Sequence, residues 1–151
     1  MNNRILDTVA EDLFSIMPLI GRSIRRKLLK TALTSFKEDI APPHFEIMKL
    51  LEETEVLHVA EIGERLQIAR PQMTHLIDRL VELNLVERQT NTNDRRMLNI
   101  MLTNKGTMIL KEHERHIKNA TREALSCLTE EELSELSAAL RKLRVIFTKL
   151  E

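Results

Sequence analysis

Between Ala69 and Leu80 the chain reads Arg70-Pro71-Gln72-Met73-Thr74-His75-Leu76-Ile77-Asp78-Arg79. Met73, Leu76, Ile77 and Leu80 recur at steps of three and four, so one face of a helix is reserved for a core. The outward positions are Arg70, Pro71, Gln72, Thr74, His75, Asp78 and Arg79. Near the helix start these are short or forked hydrogen-bonding groups. Arg can pair with O6 and N7 of guanine, Gln with N6 and N7 of adenine, and Thr and His with a base edge or a phosphate. A helix presented N-terminus first also offers its positive end to phosphate. Further on, Asp94-Arg95-Arg96 supplies guanidinium groups of the kind that a minor groove attracts through its negative potential. Arg79 and Arg88 complete the candidate set. Arg79 has the alternative of pairing with Asp78 or Glu82, and Asp78 would repel phosphate, which favours a solvated or Arg-paired role.

Other constellations carry less. His113 and His116 share a helix face, but metal-binding pairs usually stand four apart, and His113 falls on an apolar stripe, so a core or interface histidine is expected. Cys127 lies on the same stripe near a helix end, which favours a structural thiol over a redox sensor. Arg22, Arg25, Arg26, Lys27 and Lys30 form a basic stripe, ordinarily a solvated face. With His44, the arginines at 22, 25 and 26 are the candidates for holding a small anionic effector. No glycine-rich phosphate loop or nucleophile motif occurs, so no enzyme is expected, and no metal or cofactor either.

The elements that must position these groups follow from periodicity. Ile5, Leu6, Val9, Leu13, Met17, Ile20, Ile24 and Leu28 predict one long amphipathic helix to about Leu33, interrupted by Pro18. Ala41-Pro42-Pro43 starts a second helix. Val59–Leu66 and Arg70–Leu83 are the next two. Then Val86–Thr90 and Leu98–Leu102 predict a β-hairpin across the polar loop 91–96. Thr103 caps a helix carrying Leu110, His113, Ile117, Ala120 and Ala124. The last helix opens with Thr129-Glu130-Glu131-Glu132, a capping box, and runs on a heptad seam of Leu133, Leu136, Leu140, Leu143, Phe147 and Leu150. The expected fold is mainly α with a small β-hairpin wing. It is a winged helix-turn-helix with N- and C-terminal dimerisation helices: residues 1–40, a DNA-binding lobe over 41–104, and 105–151. The terminal helices are too long for one compact lobe, and a second copy is the simplest cover for their stripes.

Composition sets the outer bounds. The 151 residues carry 23 basic and 23 acidic side chains, three Gly and one Cys. One cysteine forms no internal disulfide, there is no signal peptide or membrane span, and a cytoplasmic location is the expectation. Zero net charge argues against a nucleic-acid partner only until the charges are placed. Residues 65–105 hold seven basic against four acidic side chains, a balance of +3.

Several segments in register resemble the MarR family of transcriptional regulators. They are Glu61–Leu66, Arg70–Leu80, Leu85-Val86-Glu87-Arg88, Asn93-Asp94-Arg95-Arg96 and Leu102-Thr103-Asn104-Lys105-Gly106. The most specific is the Asp94-x-Arg96 wing, followed at the family's spacing by Leu-Thr-x-x-Gly. The resemblance implies a homodimer on a pseudo-palindromic double-stranded operator, with the second helix in the major groove and the wing in the minor groove. It implies that Arg96 reaches the minor groove and that Asp94 holds it by an ion pair. It further implies a repressor released by a small anionic, phenolic ligand. The alternatives are a zinc-responsive regulator of the same fold, or a helical dimerisation or adaptor module that binds no DNA. Two departures stand out. Ala69 replaces the usual Ser or Thr cap, and Asn84 replaces the usual Gly after the recognition helix, where Asn tolerates the left-handed conformation.

Overall fold

The computed structural model describes residues 3–35, 40–94 and 96–150, with the backbone alone at position 25 and over 27–35. Six helices and three short strands follow in the order α1 (Asn3–Ser35), α2 (Pro42–Thr54), β1 (Leu57–His58), α3 (Val59–Leu66), α4 (Arg70–Glu82), β2 (Val86–Thr90), β3 (Leu98–Leu102), α5 (Asn104–Leu125) and α6 (Glu130–Phe147) among those residues. The mainly helical class, the hairpin and the helix boundaries match the periodicity to within a residue or two. Pro18 lies inside α1. β1 is the addition: two residues that pair antiparallel with β3, giving a sheet of order β1-β3-β2.

The chain divides into two compact units, Thr34–His116 and the pair of segments Met1–Leu33 and Ile117–Glu151. The first unit owns the core. Ile47, Met48 and Leu51 of α2, Ile62 of α3, Met73, Ile77 and Leu80 of α4, Ile100 of β3 and Leu110 of α5 are at most 1% exposed. Leu66 and Ile68 are only partly buried and pack on its rim. Period 3.6 on the helices and period 2 on the strands bring these side chains to one place, which is what makes the lobe fold as a unit.

The turn between α4 and β2 is built for its site. Asn84 takes φ 58°, and the Leu85 N–H donates to the Leu80 carbonyl at 2.9 Å, closing the helix. Asn thus fills the left-handed position as expected. The start of α5 is tied to this turn by a clasp. Thr103 Oγ1 donates to the Asn84 carbonyl at 2.6 Å and accepts the Gly106 N–H at 2.9 Å. Lys105 Nζ donates to the Leu83 carbonyl at 2.9 Å. The carbonyls of the turn that follows α4, at Leu83 and Asn84, are thus satisfied by Thr103 and Lys105, while the last helical carbonyls of Arg79, Leu80 and Val81 accept the N–H groups of Leu83, Leu85 and Asn84.

In the second unit, α6 begins with the expected capping box. Thr129 Oγ1 accepts the Glu132 N–H at 3.2 Å, and Glu132 Oε2 accepts the Thr129 N–H at 2.8 Å. Ile5, Leu6, Val9, Leu13, Met17 and Ile20 of α1 are exposed in the single chain, as are Leu140, Leu143 and Phe147 of α6. Cys127 is also exposed, past the end of α5. The stripe carried it toward a buried position, but the helix ends at Leu125 and the residue falls in the turn. No described helix is long and apolar enough to cross a membrane.

Candidate nucleic-acid interface

α4 begins with no side-chain cap, because Ala69 at its N-cap has no acceptor. Pro71 in the first turn presets φ and needs no hydrogen-bond acceptor, so the helix starts without that cap. Its inner face is sealed in the core. Arg70, Pro71, Gln72, Thr74 and His75 are exposed, while Asp78 and Arg79 are partly covered. The Thr74 hydroxyl donates to the Arg70 carbonyl at 3.1 Å, leaving its oxygen lone pairs outward. Arg79 pairs with Glu82 at 3.2 Å.

The wing stands beside this helix. Val86 is buried, and Arg88, two residues on, shares its face of β2 and so points toward α4. Its guanidinium pairs with Asp78. Arg70, Thr74, Arg88, Arg96 and His58 line a cleft of about 330 Å³ between helix and wing. The turn of the wing is held by the Met97 N–H donating to the Asp94 carbonyl at 3.1 Å and the Asn93 N–H donating to Asn91 Oδ1 at 2.8 Å. The Asp94 carboxylate accepts the backbone N–H of Arg96 at 3.0 Å. The implied side-chain ion pair is therefore not the contact seen: Asp94 orders the turn, and the Arg96 side chain is left exposed. Arg95 lies outside the described residues.

The effector candidates are divided between the two units. Arg22 and Arg26 are exposed on α1, the Arg25 side chain lies outside the described residues, and His44 belongs to the other unit. His44 is buried, and its Nδ1 accepts the Ala41 N–H at 2.9 Å, capping α2. It shares a cavity of about 340 Å³ with His75 and Arg79. Burial lowers its pKa, and the nearby positive charge of Arg79 and His75 adds to this against an opposing backbone hydrogen bond. The neutral ring, an acceptor at Nδ1, fits the cap.

His113 stacks on Phe45 with ring centroids 3.4 Å apart and planes within 8°. Burial lowers its pKa too. This is the packed histidine that its place on the apolar stripe predicts. Among the described residues, no group of three or more His, Cys, Asp and Glu side chains is placed to hold a metal ion. Lys49 bridges Glu114 and Glu52, each at 2.7 Å, and these hydrogen bonds raise its pKa.

One contact and one residue at the interface are not legible in the sequence. Asp78 carried the right alternative, a pairing with some arginine, but its partner sits across a turn and no local rule names it. His58 reaches the cleft because β1 pairs with β3, and a two-residue strand leaves no periodic signal.

The geometry has counterparts. Residues 40–98 match the model of the MarR family. The HTH-type transcriptional repressor MdtR of Bacillus subtilis (strain 168) is 31% identical over 135 residues, covering 89% of this chain and 87% of that protein. A mutant of E. coli MarR complexed with operator DNA is 25% identical, with a TM-score of 0.62, covering 87% of this chain and 95% of that one. Wild-type E. coli MarR in its apo form has a TM-score of 0.75 over 87% of this chain and 95% of its own, and at 23% identity this likeness is one of fold.

Proposed function

The chain belongs to the MarR family, and from that premise we propose that it is a homodimeric repressor that reads a pseudo-palindromic operator and releases it on binding a small anionic aromatic compound. That it is a DNA-binding transcriptional regulator, not an enzyme, follows from the family itself. The observation that carries the finer reading is the exposed row Arg70, Gln72, Thr74 and His75 on a helix whose other face is locked in the core, with Arg96 exposed on the wing beside it. The helix enters the major groove, where Arg70 and Gln72 face base edges and Thr74, His75 and Arg79 face edges or phosphates. Arg96 enters the minor groove. Arg88 stands at the root of the wing, and Asp94 shapes its turn.

The dimer reading rests on the apolar faces of α1 and α6. A soluble chain seldom leaves so many large apolar side chains on two helices without a partner, and a second copy of the same faces is self-complementary. The repressor reading is by similarity to MdtR. The effector reading has the exposed Arg22 and Arg26 behind it.

The test begins with a duplex recovered by the wild-type protein from a random pool. Binding should weaken steeply with salt as counterions leave the phosphates. Arg96→Ala should bind this duplex more weakly while unfolding at an unchanged urea midpoint. A protein that retains no duplex is an adaptor instead. Sedimentation at micromolar concentration should give twice the 17.6 kDa of the chain. Titration of the protein–duplex complex with salicylate or benzoate tests release, and zinc in the same assay tests the metal-responsive alternative.

A further inference from the structure

Asp78 is an anomaly on a DNA-facing helix. It lies four residues from Thr74 and eight from Arg70, on the row of α4 that faces the wing. A carboxylate there repels phosphate and lowers electrostatic affinity. Stability does not account for it. Its ion pair with Arg88 joins side chains that are 47% and 34% exposed, and such pairs contribute little to folding.

The connectivity suggests what it does instead. Arg88 is on the wing strand and Asp78 on the recognition helix, ten residues apart across the Asn84 turn. Arg88 lines the same cleft as Arg70 and Arg96, whose positive charges repel its flexible guanidinium. Asp78 supplies the opposing attraction. One end of a forked, planar group is thereby fixed to the helix, and the strand that carries it is fixed with it.

We propose that Asp78 is a positioning residue for sequence discrimination: through Arg88 it holds the wing root against the recognition helix, so that both elements meet the duplex in one register. It lowers affinity for any duplex through repulsion and raises discrimination through geometry. This inference rests on the DNA-reading surface proposed above and adds to it a residue that need not touch DNA.

The experiment measures binding of wild type, Asp78→Asn, Asp78→Glu, Arg88→Ala and the Asp78→Asn/Arg88→Ala double variant. The probes are the duplex selected by wild type and a random-sequence duplex of equal length. For Asp78→Asn, affinity for the selected duplex should fall about tenfold, the scale of one well-placed contact. Affinity for the random duplex should rise about two- to threefold as one repelling charge per subunit is removed. Asp78→Glu should restore much of the discrimination. In the Arg88→Ala background, Asp78→Asn should cost no further affinity for the selected duplex, since the two act as one unit. Affinities that rise together for both duplexes would make Asp78 a repelling charge only and overturn the proposal. Affinities that fall together, with a lower urea midpoint, would make it a structural residue and overturn it equally. Additive losses in the double variant would separate Asp78 from Arg88. If wild type itself does not distinguish the two duplexes, the DNA-reading surface fails, which is a different result from any of these.

Discussion

Gly106→Ala should unfold the unit Thr34–His116 more readily than any other single-methyl change at a glycine of that unit. Gly106 sits in the first turn of α5 against the turn that ends α4. A Cβ added there would stand 2.0 Å from the Leu85 carbonyl oxygen, 2.9 Å from its carbon and 3.1 Å from Leu102 Cδ2. Two of these are backbone atoms and cannot rotate aside, so helix and turn must separate by about 1 Å before the contact approaches the ~3.0 Å that real Cβ atoms tolerate. The clasp spans that same gap. Its bonds from Thr103 Oγ1, Thr103 N–H and Lys105 Nζ to the carbonyls of Asn84, Leu85 and Leu83 measure 2.6, 3.1 and 2.9 Å, and none survives a 1 Å separation intact. Losing all three removes about 1.5–4.5 kcal/mol. Overpacking adds about 1–3 kcal/mol, and the better helix propensity of Ala returns at most about 1 kcal/mol. The net is a loss of about 1.5–7.5 kcal/mol, a large part of the ~5–15 kcal/mol that holds a typical domain. Urea unfolding followed by far-ultraviolet circular dichroism reads it as a lower midpoint at constant slope. Gly63→Ala is the control, because its Cβ would meet the Ile68 carbonyl oxygen at 3.2 Å, which a shift of a few tenths of an ångström relieves. It should cost under about 1 kcal/mol. If Gly106→Ala matches wild type, the clasp is not as tight as its distances say.

Acid should destabilise the same lobe. His44 and His113 both have folded-state pKa values depressed below 6.5 by burial, so the unfolded chain binds more protons. Their contribution is present above pH 6.5 and declines as pH falls from there toward the folded values; His113→Phe, which keeps a ring on Phe45, should flatten part of that decline in urea titrations at pH 7 and pH 5. Thr129→Ala removes the acceptor at the start of α6 and should cost about 0.5–2 kcal/mol, seen as a lower thermal midpoint. Lys49→Met should cost under about 1 kcal/mol in low salt and nothing measurable in 1 M salt, because its side chain is 47% exposed and its pairs are screened. Gln72→Ala should weaken binding to the selected duplex and leave the salt slope unchanged, whereas Arg96→Ala should lower that slope by about one.

What was legible in the sequence is what local rules govern. The apolar spacing of Met73, Leu76, Ile77 and Leu80 delimits α4, and all four are buried. Thr129 and Glu132 satisfy each other's amides because a capping box needs only four consecutive residues. Asn84 takes the left-handed turn because its side chain tolerates it. What was not legible depends on residues distant in the chain. The two-residue β1 exists because β3 offers it a ladder edge, with Leu57 opposite Ile100. Thr103 could be read as a cap, but not as the donor to Asn84. Asp94 could be assigned to Arg96 by analogy, yet the bond goes to its backbone N–H, since a turn places an amide within reach sooner than a long side chain. Cys127 shows the opposite failure: the stripe was extrapolated past the end of its helix.

Charge joins the two kinds of information. A balance of zero over the chain and +3 over residues 65–105 are both correct counts, and neither says which charges are available. Arg79 is paired with Glu82 and Arg88 with Asp78, while among the described residues neither Arg70 nor Arg96 is held in an ion pair. Arg70 stands at the first turn of α4 and Arg96 on the wing. In the free chain, pairing lowers the positive charge that Arg79 and Arg88 present to a phosphate and leaves that of Arg70 and Arg96 open. On the proposed reading, a surface arranged this way gives up background affinity for the large excess of non-specific sites, and discrimination, not strength, is what a regulator needs to find one operator among them.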